Sequence, residues 1–374
     1  MKNLTVFIQN IITPYRSCTF NKLYQYDQSY IVYYMSKTER DRNWDISKIN
    51  IKHKYWLDKF GIYFMFKGYH IHINPILILK VLFNRNIKNI ILCVSYNDLN
   101  IIILALIKHL HLTHKNYYCW AEANYLTNGA RQESKFKNFL RKFVYSSIDK
   151  AAIVPGEMAK LSFKHWGINF KKFIDFPNTI DESSLEYSCE NNRNKNQLLH
   201  FFMPVRLIEN VKGILNFFNA IGIENIRKSV FLIAGDGIDR HIYEKYIFDN
   251  KLQEHIKLLG FCDAKLMTEY YNNSNILLLP SFSDPSPLSI IEALYFHLPI
   301  LCSSHCGNHY EAVIQGENGY TFSPFNKDEI KQKYIKILES RDKLGNMGET
   351  SFYIYNEKFN LDKVVLNLIH EMNI

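Results

Sequence analysis

The chain has 374 residues, 47% of them hydrophobic and 22% charged, a balance that excludes a disordered or fibrous chain and gives length for two globular domains of about 150 to 200 residues each. The net charge of +9 is unevenly placed: residues 1–180 hold 26 Lys and Arg against 11 Asp and Glu, and the rest hold 19 against 25. Seven cysteines without a CxxC pair exclude a dense disulfide framework and point to a reducing compartment.

In chain order, the opening MKNLTVFIQN lacks the sustained apolar core and small-residue cleavage site of a signal peptide; it reads as a first strand, and the expected location is the cytoplasm. Apolar runs at 88–95, 117–121 and 150–154 then alternate with helical patterns such as 99–110. The most apolar stretch, 90–107, is broken by Asn97, Asp98 and Asn100 and falls short of the ~20 apolar residues that span a bilayer. The polar run EYSCENNRNKNQ at 186–197 predicts a linker. Further apolar runs follow at 198–203, 230–234, 256–259, 276–279 and 300–302. Alternating strands and helices predict parallel sheets covered by helices. The expected architecture is α/β, with doubly wound Rossmann-like domains at 1–185 and 198–355 and a helical segment, 356–374, placed to pack back on the first domain. Two such domains bring their strand carboxyl ends face to face, so the cleft between them is the expected ligand site. The basic first half predicts a polyanionic partner, with a plain solvated lysine-rich face as the alternative. Its cations are spread without a recognition motif, which favours an anionic membrane over nucleic acid.

The segment PSFSDPSPLSIIEAL at 280–294 leaves a strand, turns, and enters a helix for which Ser286 is a suitable N-cap and Pro287 a suitable first residue. That helix is apolar nearly all round, yet it contains Glu292. A buried carboxylate requires hydrogen-bond donors, and sugar diols fit; a Glu on a narrow exposed stripe is the plainer alternative. The helix start beside Asp284 offers free backbone N–H groups to an anion. In FMPVRLIENVKGILNFF a strand should end near Pro204 and a helix begin near Gly213, with Arg206 and Lys212 flanking the loop. Lys212 then stands where the helix dipole disfavours a cation, which an anionic ligand would explain. Gly235-Asp236-Gly237 reads as a tight strand-to-helix turn. Cys302, His305, Cys306 and His309 are too compressed in sequence for the usual paired zinc ligands, and there is no DxD motif; no metal is expected.

These motifs, with SSHCGNHYEAV and GENGYTF downstream, resemble glycosyltransferase family 4, most strongly over 198–322. The resemblance implies a GT-B fold and a retaining mechanism. It implies that Glu292 binds the ribose hydroxyls of a nucleotide, that Asp284 contacts the transferred sugar, and that Arg206 and Lys212 neutralise the donor diphosphate. Three departures stand out: Asp284 replaces the usual Glu, Val205 stands where Gly is common, and the interval from Arg206 to Lys212 is one residue longer. Further donor contacts are implied at Gly235, Gly237, Ser286, Leu288, Gly307 and Asn308, with Glu311 in the same loop. In the first domain, Arg16 follows the first strand and meets either an acceptor phosphate or solvent. Glu122 lies where relatives place a polar residue beside the reacting sugar, or else is an ordinary helix-start Glu. Pro177-Asn178-Thr179-Ile180 resembles the family's hinge entry. The function so implied is metal-independent sugar transfer, without a cofactor, from a nucleotide-diphosphate sugar to a glycan or lipid-linked acceptor. Its setting is bacterial surface polysaccharide or lipopolysaccharide synthesis at the inner face of the cytoplasmic membrane. A GT-B sugar-nucleotide epimerase and a non-catalytic binding protein on the same scaffold are the alternatives.

Overall fold

Short runs rich in β-branched and aromatic residues become strands buried on both faces, as parallel sheets require. Val6, Phe7 and Ile8 of the strand Leu4–Gln9 and every residue of Ile276–Leu279 are buried. The computed structural model describes residues 3–40, 46–66, 68–128, 134–188 and 198–373, so most of the expected linker, residues 189–197, lies outside the described residues.

Two parallel sheets result. The first runs, edge to edge, Tyr55–Leu57, Tyr30–Tyr34, Leu4–Gln9, Ile87–Leu92, Asn116–Trp120, Ala152–Val154 and Phe173–Asp175. The second runs Ile256–Gly260, Ser229–Ala234, Leu199–Pro204, Ile276–Leu279, Ile300–Ser303 and Gly319–Phe322. In both, the chain builds outward from the first strand, returns, and continues on its other side, so the winding reverses between strands one and four of the sheet. That reversal is where open α/β sheets leave a crevice at the strand carboxyl ends. It falls between Leu4–Gln9 and Ile87–Leu92 in the first domain and between Leu199–Pro204 and Ile276–Leu279 in the second. The doubly wound two-domain architecture expected from the sequence is therefore present. The sequence pattern missed Tyr30–Tyr34, Tyr55–Leu57, Phe173–Asp175, Gly319–Phe322 and a separate antiparallel hairpin, Ile62–Phe66 with Tyr69–Ile73.

Helices cover both faces of each sheet. Asp98 caps the helix Leu99–His109 by accepting from Asn100 and Ile101 amides, satisfying donors the helix itself cannot. The last helix, Leu361–Asn373, crosses to the first domain, where Leu361, Val364, Val365 and Leu368 join a core with Phe7, Phe20 and Trp120. Asp362 on this helix lies 3.1 Å from Lys22 and accepts from the Tyr26 hydroxyl at 2.5 Å.

Candidate active site

The reversal in the second sheet sets down two loops side by side, Val205–Leu207 after one strand and Pro280–Asp284 after the other. The first is held by the Gly235-Asp236-Gly237 turn. A Cβ on Gly235, whose φ is +141°, would lie 2.1 Å from the Val205 carbonyl oxygen, and one on Gly237 would lie 2.3 Å from that of Leu207. Only glycine permits this approach, so both glycines act on the loop that presents Arg206. Arg206 is exposed at the cleft and its guanidinium makes no hydrogen bond or ion pair with the described residues.

The helix expected near Gly213 is Ile214–Ile221, with Gly213 at φ +61° as its N-cap, so Lys212 stands immediately before a helix start as expected. A single turn, Glu209–Lys212, precedes it and was not expected. The amides at the start of Ile214–Ile221 are met by the Glu209 carboxylate, which accepts from Leu215 and Asn216 N–H at 3.0 Å each and from the Tyr243 hydroxyl at 2.8 Å. Lys212 instead reaches Asp284, Nζ to Oδ2 2.5 Å, with both side chains largely buried. The Asp284 backbone is fixed in turn: its carbonyl accepts from Gly307 N–H at 2.8 Å, and a Cβ on Gly307 would stand 1.8 Å from the Pro285 carbonyl oxygen.

The helix Leu288–Tyr295 buries Ile290, Ile291, Ala293 and Leu294. Its N-cap is Pro287, not Ser286, and no side chain caps it. Ser286 lies one residue further out, and its hydroxyl accepts from Asn178 Nδ2 of the first domain at 3.1 Å. Leu288 begins the helix, leaving early amides available at the cleft. Glu292 is half-buried on this helix, and its Oε2 accepts from the Tyr271 hydroxyl at 2.6 Å. Burial pushes the Glu292 carboxyl above its ordinary pKa, and the Tyr271 bond opposes that rise. Asn308 is buried beneath the helix start, donating to the Pro287 carbonyl at 3.0 Å while its Oδ1 has no partner. Cys306 and Cys302 are buried, and His305 and His309 turn Nδ1 toward the carbonyls of Phe282 and Cys306 at 2.9 and 2.8 Å. Among the described residues no three His, Cys, Asp or Glu side chains are placed to hold a metal ion.

Across the cleft, a cavity of about 340 Å³ opens at the reversal of the first sheet, walled by Arg16, Ser95, Trp120, Glu122, Asn124 and Arg141. Glu122 lies in the loop after Asn116–Trp120, short of the next helical turn at Tyr125–Asn128, so it is not a helix-start residue. One of its oxygens accepts from Arg16 Nη2 at 2.8 Å and from Asn178 Nδ2 at 3.0 Å. Arg16 is largely buried and stacks 3.8 Å above the Trp120 ring, a favourable placement for a planar cation. Its Nη1, like Trp120 Nε1, is buried without a partner. Arg16, Glu122, Asn178 and Ser286 thereby form one hydrogen-bonded chain from domain to domain. Asn124 adds a second crossing by donating to the His305 carbonyl at 3.3 Å. Glu311 makes a third: its carboxylate accepts from Glu157 N–H at 2.7 Å, capping the first-domain helix Glu157–His165. Tyr271, Glu209 and the bridging role of Asn178 and Glu311 had no signal in sequence spacing, since each depends on a partner more than 20 residues away or across the cleft, or on a local fold the spacing did not reveal.

Residues 188–352 match the family profile described as "Glycosyl transferases group 1". Among characterised proteins, the chain is 28% identical over 124 residues to an alpha-monoglucosyldiacylglycerol synthase of Acholeplasma laidlawii, covering 33% of this chain and 30% of that protein. It is 30% identical over 108 residues to a 2-deoxystreptamine N-acetyl-D-glucosaminyltransferase of Niallia circulans, covering 29% and 28%. The chain thus aligns with about a third of the length of these relatives. Among solved structures, HepE of Anabaena in complex with UDP superposes with a TM-score of 0.74 at 13% identity, over all of both chains. A lipopolysaccharide outer core galactosyltransferase, WaaB, does so with a TM-score of 0.70 at 13% identity, over 100% of this chain and 99% of that one. The fold is GT-B, and residues 188–352 are similar to the glycosyl transferases group 1 family.

Proposed function

We propose that the chain is a glycosyltransferase, of family 4 and retaining, that moves a sugar from a nucleotide-diphosphate donor to a glycan or lipid-linked acceptor. The observation that carries this is the Lys212–Asp284 pair at the winding reversal of the second sheet, with Glu292 on the helix that follows and a hydrogen-bonded cavity opposite it. On this reading Glu292 accepts the ribose hydroxyls. Arg206 and Lys212 hold the diphosphate and neutralise the charge that builds on it as the anomeric C–O bond breaks, the work a metal does in other transferases. Asp284, held by Lys212, receives hydroxyls of the transferred sugar. The acceptor hydroxyl attacks the same face of the anomeric carbon and passes its proton to the departing phosphate oxygen. Arg16 Nη1 and Trp120 Nε1, buried and unpartnered, donate to acceptor oxygens, and the contacts across the cleft keep out water that would hydrolyse the donor.

The acceptor is placed on a membrane lipid or a growing surface glycan, at the cytoplasmic face, where the basic first half meets anionic headgroups. Among the described residues no helix is long and apolar enough to cross a membrane. Incubation with a panel of nucleotide sugars and a membrane extract, following nucleotide release, tests the transfer. Release from at least one donor, dependent on the extract, is expected; no release from any donor would reject it.

The Tyr271–Glu292 bond also sets a pH dependence. Binding of ribose hydroxyls needs the ionised carboxylate, and Tyr271 stabilises that form against the desolvation that raises its pKa. Tyr271→Phe removes the opposing bond and lets the pKa rise further. Nucleotide affinity, measured by titration across acid to neutral pH, should therefore begin to fall at a higher pH in Tyr271→Phe than in the parent.

A further inference from the structure

The hairpin Ile62–Phe66 and Tyr69–Ile73 is turned inside out relative to a soluble edge hairpin. Residues opposite one another in an antiparallel pair share a face, and alternate residues share a face along each strand. The register Ile62 to Ile73, Phe64 to Ile71 and Phe66 to Tyr69 therefore puts six apolar side chains together on one side. The other side holds Tyr63, Met65, His70 and His72, and it is this polar side that is anchored to the protein. Tyr63 accepts from the Arg40 N–H at 3.0 Å and its hydroxyl lies 2.9 Å from His70 Nδ1. His72 is buried between Glu39 at 3.6 Å and Asp98 at 3.9 Å. Four of the six apolar side chains face outward, with Ile62 60%, Phe66 and Tyr69 57% and Phe64 39% exposed and Phe60 beside them at 74%, while Ile71 and Ile73 are half-buried and Met65 of the other side is 43% exposed. Water-facing sheet surfaces are ordinarily polar, and an apolar outcrop of this kind marks a docking surface.

The next element continues it. The helix Pro75–Phe83 buries Leu77, Ile78 and Val81 but exposes Ile76, Leu79 and Phe83, a stripe at helical spacing on its outer side. In the stretch of sequence that carries these apolar residues the charge is almost all of one sign: residues 46–88 contain eight Lys and Arg and a single acidic residue, Asp58; the acidic Glu39 and Asp98 lie on the hairpin's inner side, against His72. Two copies meeting through this surface would bring their cations together, which opposes self-association. An anionic bilayer meets both features, taking the apolar side chains among its acyl chains and the lysines among its headgroups.

We propose that this hairpin is a membrane-insertion element, seating the first domain on an anionic lipid surface. The inference rests on the reading that the acceptor is membrane-borne, and it adds the part of the chain that enters the lipid. One other exposed aromatic pair lies on the same flank: Phe136 and Phe139, on the helix Lys135–Tyr145, which packs against the helix Leu99–His109, as does the hairpin strand Tyr69–Ile73. The experiment separates the two.

The intact chain is floated with vesicles of phosphatidylcholine alone and with vesicles that also contain phosphatidylglycerol, together with a Phe64→Ser/Phe66→Ser variant and a Phe136→Ser/Phe139→Ser variant. The parent should bind only the anionic vesicles, and the hairpin variant should bind them about tenfold or more weakly while still melting cooperatively, since the hairpin's inner side, with Tyr63 and His72, is untouched. The Phe136 and Phe139 variant should lose much less. A hairpin variant that floats like the parent, a parent that ignores anionic vesicles, or a hairpin variant whose only change is loss of a concentration-dependent dimer would each overturn the proposal. Flotation requires no donor or turnover, so none of these outcomes touches the transfer reading, which nucleotide release tests separately.

Discussion

Glu292→Gln should weaken binding of the nucleoside diphosphate by about 10-fold to 150-fold, from loss of a charge-assisted hydrogen bond at about 1.5 to 3 kcal/mol. The substitution isolates the carboxylate's role toward a ligand from its role inside the protein. Glutamine keeps an oxygen to accept from the Tyr271 hydroxyl, now held at 2.6 Å by Glu292, so the buried phenol stays satisfied. Its amide NH₂ cannot accept a ribose hydroxyl, and its charge is gone. Glu292→Ala would mix the two effects, because stranding the Tyr271 hydroxyl costs about 1 to 3 kcal/mol of stability by itself. Calorimetric titration of the two proteins, with melting curves alongside, gives the result: Glu292→Gln binding as tightly as the parent, at an unchanged melting temperature, would remove the residue from the nucleotide site.

The second large effect is expected at Lys212. Lys212→Met should lower kcat by about 10²- to 10³-fold, the usual loss when one preorganised electrostatic partner of the developing charge is removed. It should also destabilise the second domain, by about 1 to 3 kcal/mol, because the Asp284 carboxylate is left largely buried without its cation. These two consequences separate in the double variant Lys212→Met/Asp284→Asn. Neutralising both partners removes the unpaired charge, so the melting temperature should recover most of the loss. The kcat should not recover, since no cation is restored beside the diphosphate. Recovery of both together would make Lys212 a structural partner of Asp284 and nothing more. Asp284, the shorter side chain at this position, reaches Lys212 at 2.5 Å from a loop clamped by Gly307.

Long, strongly patterned elements were legible in the sequence because their physical signal is local. Ile276–Leu279 and Leu4–Gln9 are apolar runs bounded by polar residues, and Leu99–His109 follows an Asp that caps it. Tyr30–Tyr34, YIVYY, is just as strand-like, but in a chain with 25 Tyr and 26 Phe aromatic richness carries little contrast. The hairpin was illegible for a different reason: its apolar outer face and polar inner face invert the pattern from which burial is usually inferred. At the candidate site, Asp284 and Glu292 stood out through the motif resemblance and, for Glu292, through a carboxylate set in an otherwise apolar helix; the structure sets the two on one loop and the helix that follows it. Ser286 was misplaced because cap preference is statistical, and here its hydroxyl is drawn to Asn178 across the cleft. The turn Glu209–Lys212 was not foreseen, because a four-residue helix leaves no periodic pattern in the sequence. The relation of Glu311 to Glu157 spans 154 residues and two domains, which no local pattern encodes.

The crossing of Leu361–Asn373 to the first domain makes that domain a mosaic of two separate stretches of the chain, while the second domain is a single insert between them. Substituting a relative's sequence for everything from residue 198 onward would replace Val364, Val365 and Leu368, which complete the hydrophobic core shared with Phe7 and Phe20, and so would unroof the first domain. A working chimera must graft the second domain internally and return to the native helix Leu361–Asn373.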